Sequence, residues 1–175
     1  MFKIEKSKTG QRLIASEPLT AGDFPRIAEE IGRTPMKARK IGFVAARKAK
    51  APETVETFWN GKETVNRARR GDWILTALTP DRHLLRDNDG NVNTYVVAAR
   101  TFARLYKADT GENEYGTFFA AKGDIVKALL LSEGFDLIAP WGQRQTAPHG
   151  YLILNGKEVY GNQTETFSRT YEAVA

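Results

Sequence analysis

Residues 94–108 (TYVVAARTFARLYKA) and 159–173 (VYGNQTETFSRTYEA) align without a gap, with six identities in fifteen positions. The identities are Tyr95/Tyr160, Thr101/Thr166, Phe102/Phe167, Arg104/Arg169, Tyr106/Tyr171 and Ala108/Ala173. Unrelated segments of average composition share roughly one. Upstream, Gly71-x-x-Ile74-Leu75 faces Gly150-x-x-Ile153-Leu154, and Trp59 with Gly61 faces Trp141 with Gly142. In this register the first copy carries 14 extra residues, about Thr79–Val92. A recurrence on this scale implies one supersecondary unit used twice. Each copy is too small to bury a comfortable core alone.

The local pattern predicts mostly strands. Gly71–Leu78, Val55–Trp59, Tyr95–Val97, Phe135–Ala139 and Tyr151–Leu154 are apolar, β-branched or aromatic stretches bounded by turn residues. Thr117–Ala120 and Ile125–Leu131 are two further strands, and Asn60-Gly61 and Asn155-Gly156 are hairpin turns. Phe24, Ile27, Ala28 and Ile31 share one helical face, with Asp23 as cap, Pro25 in the first turn and Gly32 as stop. Short aromatic helices follow at Ala98–Tyr106 and Glu165–Tyr171. The polar stretch Lys107–Tyr115 separates the copies. The expected fold is therefore α+β and mostly antiparallel β. An N-terminal arm (1–36, helix 23–31) precedes two tandem β-modules (37–110 and 116–175), each a curved sheet or open barrel closed by a short aromatic helix.

The run Arg70-Gly71-Asp72-Trp73-Ile74-Leu75, followed by a Tyr-x6-Phe-x3-Tyr tail, resembles a small module of uncharacterised phage and bacterial proteins. Those carry a Gly-Asp-Trp/Tyr-Ile strand and end in Phe-x-x-Thr-Tyr-Glu. Phe167-Ser168-Arg169-Thr170-Tyr171-Glu172 matches that tail, whereas Gly150-Tyr151-Leu152 departs from the Gly-Asp-Trp step. The resemblance covers roughly 37–108 and 120–175. It implies a fold and a phage or mobile-element setting, and it carries over no catalytic residue.

The chain lacks cysteine, which removes disulfides, thiolate metal sites and cysteine nucleophiles. MFKIEKSKTG has no signal-like apolar region, and no apolar run approaches a membrane span, so a cytoplasmic protein without a membrane partner is expected. Arg86–Asn91 fails as a calcium loop, because aligning Gly90 puts Leu85 first and Val96 twelfth. His83 and His149 lack zinc-site spacing, and the glycines form no phosphate-loop motif, so neither metal nor cofactor is expected. The recurring aromatics could stack bases, but their conserved spacing in both copies reads first as core.

Charge is more informative. Residues 1–75 hold 16 Lys/Arg against 9 Asp/Glu, and residues 76–175 hold 10 against 12. Arg33–Lys50 contains no acid, and Arg67, Arg69 and Arg70 precede the Trp73 strand. Arg39, Lys40, Arg47, Lys48, Arg67, Arg69 and Arg70 are the candidate contacts for nucleic acid or another polyanion. The leading expectation is a non-enzymatic binding or structural protein. The second is a nucleic-acid or phosphorylated-ligand binder through 33–70, and the third an enzyme with a site between the copies.

Overall fold

The computed structural model describes residues 1–174. It opens with β1 (Phe2–Lys6), β2 (Gln11–Ala15), α1 (Asp23–Ile31) and β3 (Met36–Lys48). A hairpin follows, β4 (Glu53–Trp59) and β5 (Lys62–Ala68), then β6 (Trp73–Leu78), β7 (Thr94–Val97) and α2 (Ala99–Leu105). Next come β8 (Tyr106–Asn113), β9 (Gly116–Leu131) and a second hairpin, β10 (Phe135–Ile138) and β11 (Arg144–Ala147). The chain closes with β12 (Gly150–Asn155), β13 (Glu158–Gln163), α3 (Thr164–Thr170) and β14 (Tyr171–Ala173). The fold is α+β with mostly antiparallel strands, as expected; β2 and β10 form a parallel pair.

Two compact units are present, and they do not follow the expected boundaries. One comprises residues 1–40 with the stretch from Asp124 onward, and the other Ile41–Gly123. The chain passes between them within β3 and within β9. Residues 1–36 are thus no arm. Leu13, Leu19, Phe24, Ile27 and Ile31 pack with Leu129, Leu131, Phe135, Leu137, Leu152 and Val159 in one buried cluster. Nor does Lys107–Tyr115 separate modules: β8 pairs with β9 as a hairpin, Asn113 opposite Gly116. Its Thr/Glu/Asn content is that of an exposed strand. β9 likewise runs unbroken through Lys122-Gly123-Asp124, where its side chains are exposed.

α1 is built from its apolar stripe, since Phe24, Ile27, Ala28 and Ile31 are all buried. Gly32 ends it in the left-handed conformation, φ 78°, and donates to Ala28 and Glu29, while Arg33 N–H reaches Ala28 O at 3.2 Å. That is a Schellman stop, which favours glycine. The start differs from expectation: Gly22 is the N-cap, and the Asp23 carboxylate instead accepts from Thr20 N–H at 2.8 Å.

Each unit contains the same run of elements. In the unit 41–123 a long strand (β3) leads to a hairpin (β4–β5), then β6, β7, α2 and β8. In the other, β9 leads to β10–β11, β12, β13, α3 and β14. The interior of the run is alike in detail. Trp73 stacks on Phe102 at 4.0 Å, and Phe102 on Tyr106 at 4.8 Å. Tyr151 stacks on Phe167 at 4.1 Å, and Phe167 on Tyr171 at 4.8 Å. Each phenylalanine is buried. The two helices enter from Ala98 (φ −62°, ψ 147°) and Gln163 (φ −60°, ψ 145°), and end at tyrosines with extended backbone.

The register between the two runs differs by one from the sequence alignment. Leu75 lies opposite Tyr95, and Ile153 opposite Tyr160. Trp73 therefore corresponds to Tyr151, not Leu152, and Leu75 to Ile153. Since alternate strand residues face opposite sides, a slip of one would send each stacking aromatic to the wrong face. The insertion between β6 and β7 is accordingly 13 residues, from separations of 20 and 7.

Candidate functional site

Lys48 ends β3 opposite Trp73, with its ammonium 5.8 Å over that ring. Past it, the buried Ala49 is fixed to the next turn: its N–H donates to Asp72 O at 2.8 Å, and Gly71 N–H donates to Ala49 O at 2.8 Å. The turn itself is Arg69-Arg70-Gly71-Asp72, closed by Asp72 N–H to Arg69 O at 3.0 Å. Gly71 takes φ 91° at the third position, which a side chain disfavours. The Asp72 carboxylate accepts from Arg69 N–H at 2.8 Å and stabilises the same turn.

This frame presents cations. Lys48, Ala49, Lys50, Arg70 and Gly71 line a shallow hollow of ≈ 550 Å³. Lys48, Lys50, Arg69 and Arg70 are all exposed. Among the described residues none of the four makes an ion pair with a carboxylate. Lys48, Lys50 and Arg70 thus border the hollow, while Arg69 belongs to the adjoining turn, which also carries the Asp72 carboxylate.

The other expected contacts lie elsewhere. Arg47 points away from Lys48, as strand alternation requires, and binds Glu53 through both nitrogens at 2.5 and 3.2 Å. That hydrogen bond holds the Glu53 carboxyl below its ordinary range. Arg67 lies on β5 opposite Thr54. Arg39, opposite Glu172, and Lys40, opposite Tyr171, belong to the unit containing residues 1–40. The seven side chains therefore do not form one face of one module. Lys50 joins the hollow although it was not among the seven; its place two residues past the β3 end, inside the acid-free run, was the available signal. The charge asymmetry of the two chain halves also does not reach the units. Ile41–Gly123 holds 13 Lys/Arg and 10 Asp/Glu, and the rest of the chain 13 and 11.

A second hollow of ≈ 370 Å³ is lined by Arg47, Glu53, Glu56, Thr76 and Thr94 among others. Its polar groups are mostly engaged with one another. Arg47 holds Glu53, the Thr76 and Thr94 hydroxyls are 3.1 Å apart, and Thr57 donates to Thr94 O at 2.7 Å. His149 contacts the Thr164 hydroxyl, and His83 is exposed. Asp87 accepts the backbone N–H groups of Asn60, Asp89 and Asn91, so it organises a turn. Among the described residues no three His, Cys, Asp or Glu side chains are grouped to hold a metal ion. No described helix is long and apolar enough to cross a membrane.

The aromatics divide. Phe102, Phe167 and Tyr171 are buried, Trp73 is covered on one face by Phe102, and Trp141 stands 57% exposed. Comparison of the chain with protein-family models, with curated proteins and with solved structures gives no match.

Proposed function

We propose that the chain is a non-enzymatic binding protein, built from two diverged copies of one β-module, which takes a phosphorylated ligand or nucleic-acid backbone in its basic hollow. The duplication is supported by the recurring aromatic stacks and helix-entry angles, together with the motif shared by Phe102–Tyr106 and Phe167–Tyr171. The motif resemblance is what favours a phage or mobile-element setting. Anion binding rests on one observation: Lys48, Lys50 and Arg70 line one hollow beside a backbone-fixed turn that also carries Arg69, and none of the four makes an ion pair with a carboxylate. Phosphates would sit against the ammonium and guanidinium groups, with no base-edge reader required, so recognition is of backbone charge.

The test is a titration with heparin and with a mixed-sequence single-stranded oligonucleotide at two salt concentrations. Binding should weaken steeply with salt. Arg70→Ala should weaken it for all sequences alike and lower the log–log salt slope by about one. Binding absent at low salt, or indifferent to salt, would remove the anion reading and leave the duplicated scaffold without an assigned ligand.

A further inference from the structure

β5 has β4 on one side and, among the described residues, no strand on the other. Lys62 through Arg67 are all exposed. The two-residue turn Asn60-Gly61 closes on the pair Trp59–Lys62, which such a hairpin makes hydrogen-bonded. Alternation then directs the backbone N–H and C=O of Glu63, Val65 and Arg67 away from β4, toward the open edge. Directly opposed residues share a face, so the outer face carries Val65 beside Glu56 and Glu63 beside Phe58. Val65 is 59% and Phe58 53% exposed.

An open edge carrying apolar side chains is ordinarily protected by charged side chains, lysine above all, and a second copy of the same strand is repelled where like charges come to face each other. β5 is arranged differently. Its sequence, Lys62-Glu63-Thr64-Val65-Asn66-Arg67-Ala68, is complementary to itself about Val65. An antiparallel second β5 centred there sets Val65 against Val65, Thr64 against Asn66, and Glu63 against Arg67 in both flanking rows. The exposed backbone groups of Glu63, Val65 and Arg67 then pair with those of the same residues. We propose that β5 is a homodimerisation edge, joining two copies of this chain through an antiparallel β5–β5 ladder into a four-stranded β4–β5–β5–β4 sheet. The charge pattern selects a second copy as occupant, because a two-fold axis at Val65 sets Glu63 against Arg67 in both flanking rows and leaves Lys62 opposite the uncharged Ala68. One seven-residue ladder is a small interface, so the dimer is weak and dilutes apart.

Sedimentation velocity over a dilution series tests this, with circular dichroism confirming that every variant is folded. The wild-type chain should pass from dimer to monomer as it is diluted. Glu63→Arg sets arginine against arginine in both rows, and Arg67→Glu sets glutamate against glutamate. Each should raise the dissociation constant about tenfold or more. The double variant Glu63→Arg with Arg67→Glu rebuilds both opposite-charge pairs in reverse and should restore the dimer. A chain monomeric at all concentrations, a dimer indifferent to the single reversals, or a double variant as weak as the singles would each overturn the proposal.

Discussion

Phe102 and Phe167 are the residues on which each recurring run closes. Each lies between two rings, 5% and 6% exposed. Truncating a buried phenylalanine loses its transfer free energy and leaves a cavity, so Phe102→Ala or Phe167→Ala should cost about 3–5 kcal/mol. Urea unfolding measures it, and a cost below about 1 kcal/mol would show that the stack is peripheral. Arg82 is a different kind of determinant. It holds φ 66°, uncommon for a side chain of its size, with its guanidinium 3.7 Å over the Phe43 ring and its Nε 2.9 Å from Asp109. The Arg82 hydrogen bond pulls the Asp109 carboxyl below its ordinary range. A lowered folded pKa gives stability that is present above the unfolded value and lost as pH falls through the folded one. Wild type should therefore be more stable than Asp109→Asn at neutral pH, and the gap should close below about pH 4. A gap constant across a pH series of urea melts would mean that the pair contributes nothing through charge.

At the scale of elements, turns decide what the sequence shows and what it hides. Asn60 (φ 51°) and Gly61 (φ 78°) form the two-residue loop their types predict, because both central positions need positive φ. Asn155-Gly156 was expected to do the same. The loop is instead Gly156-Lys157, with Asn155 paired to Glu158 and only glycine at positive φ (60°). An Asn-Gly pair fixes that a turn exists but not its phase, since glycine can fill either loop position. That ambiguity sits two pairs from Ile153, where the sequence alignment of the runs slipped by one. The tyrosines that close the runs are also coupled across strands. Tyr160 and Tyr171 hydroxyls lie 3.0 Å apart, and burial, then hydrogen bonding within the pairs Tyr95–Tyr106 and Tyr160–Tyr171, pushes the Tyr95 and Tyr171 phenols above their ordinary range. A raised folded pKa gives stability that is present below the unfolded value, about pH 10, and lost as pH rises through the folded one. In an ultraviolet alkaline titration, Tyr95→Phe and Tyr171→Phe should each remove a step that in the wild type ionises late, together with unfolding. A wild-type profile from which neither substitution removes a late step would contradict the coupling.

At the scale of the molecule, fold class was legible because alternation and turns are local, whereas partition into units was not, because long-range pairing sets it. Nothing local in Leu13, Phe24 or Ile27 says that their partners are Leu129, Leu152 and Val159. The Lys48–Arg70 hollow was legible only in part for the same reason: these residues, distant in sequence, are brought together when Ala49, just past β3, and the Arg69–Asp72 turn exchange hydrogen bonds. The partition makes a sharp prediction. Of the 14 buried residues in that cluster, seven come from residues 13–31: Leu13, Ala15, Leu19, Phe24, Ile27, Ala28 and Ile31. Fully burying each large apolar side chain among them is worth roughly 1.5–3 kcal/mol. Their sum is comparable to the roughly 5–15 kcal/mol that stabilises a whole domain. A chain beginning at residue 37 would also leave Leu129, Leu131, Phe135 and Leu152 uncovered. It should bind a hydrophobic dye, lose near-ultraviolet dichroism and show no cooperative melt for that unit. An appended arm, by contrast, could be removed without moving the melting temperature, and a truncated chain that melted like the full one would restore the arm and refute the shared core.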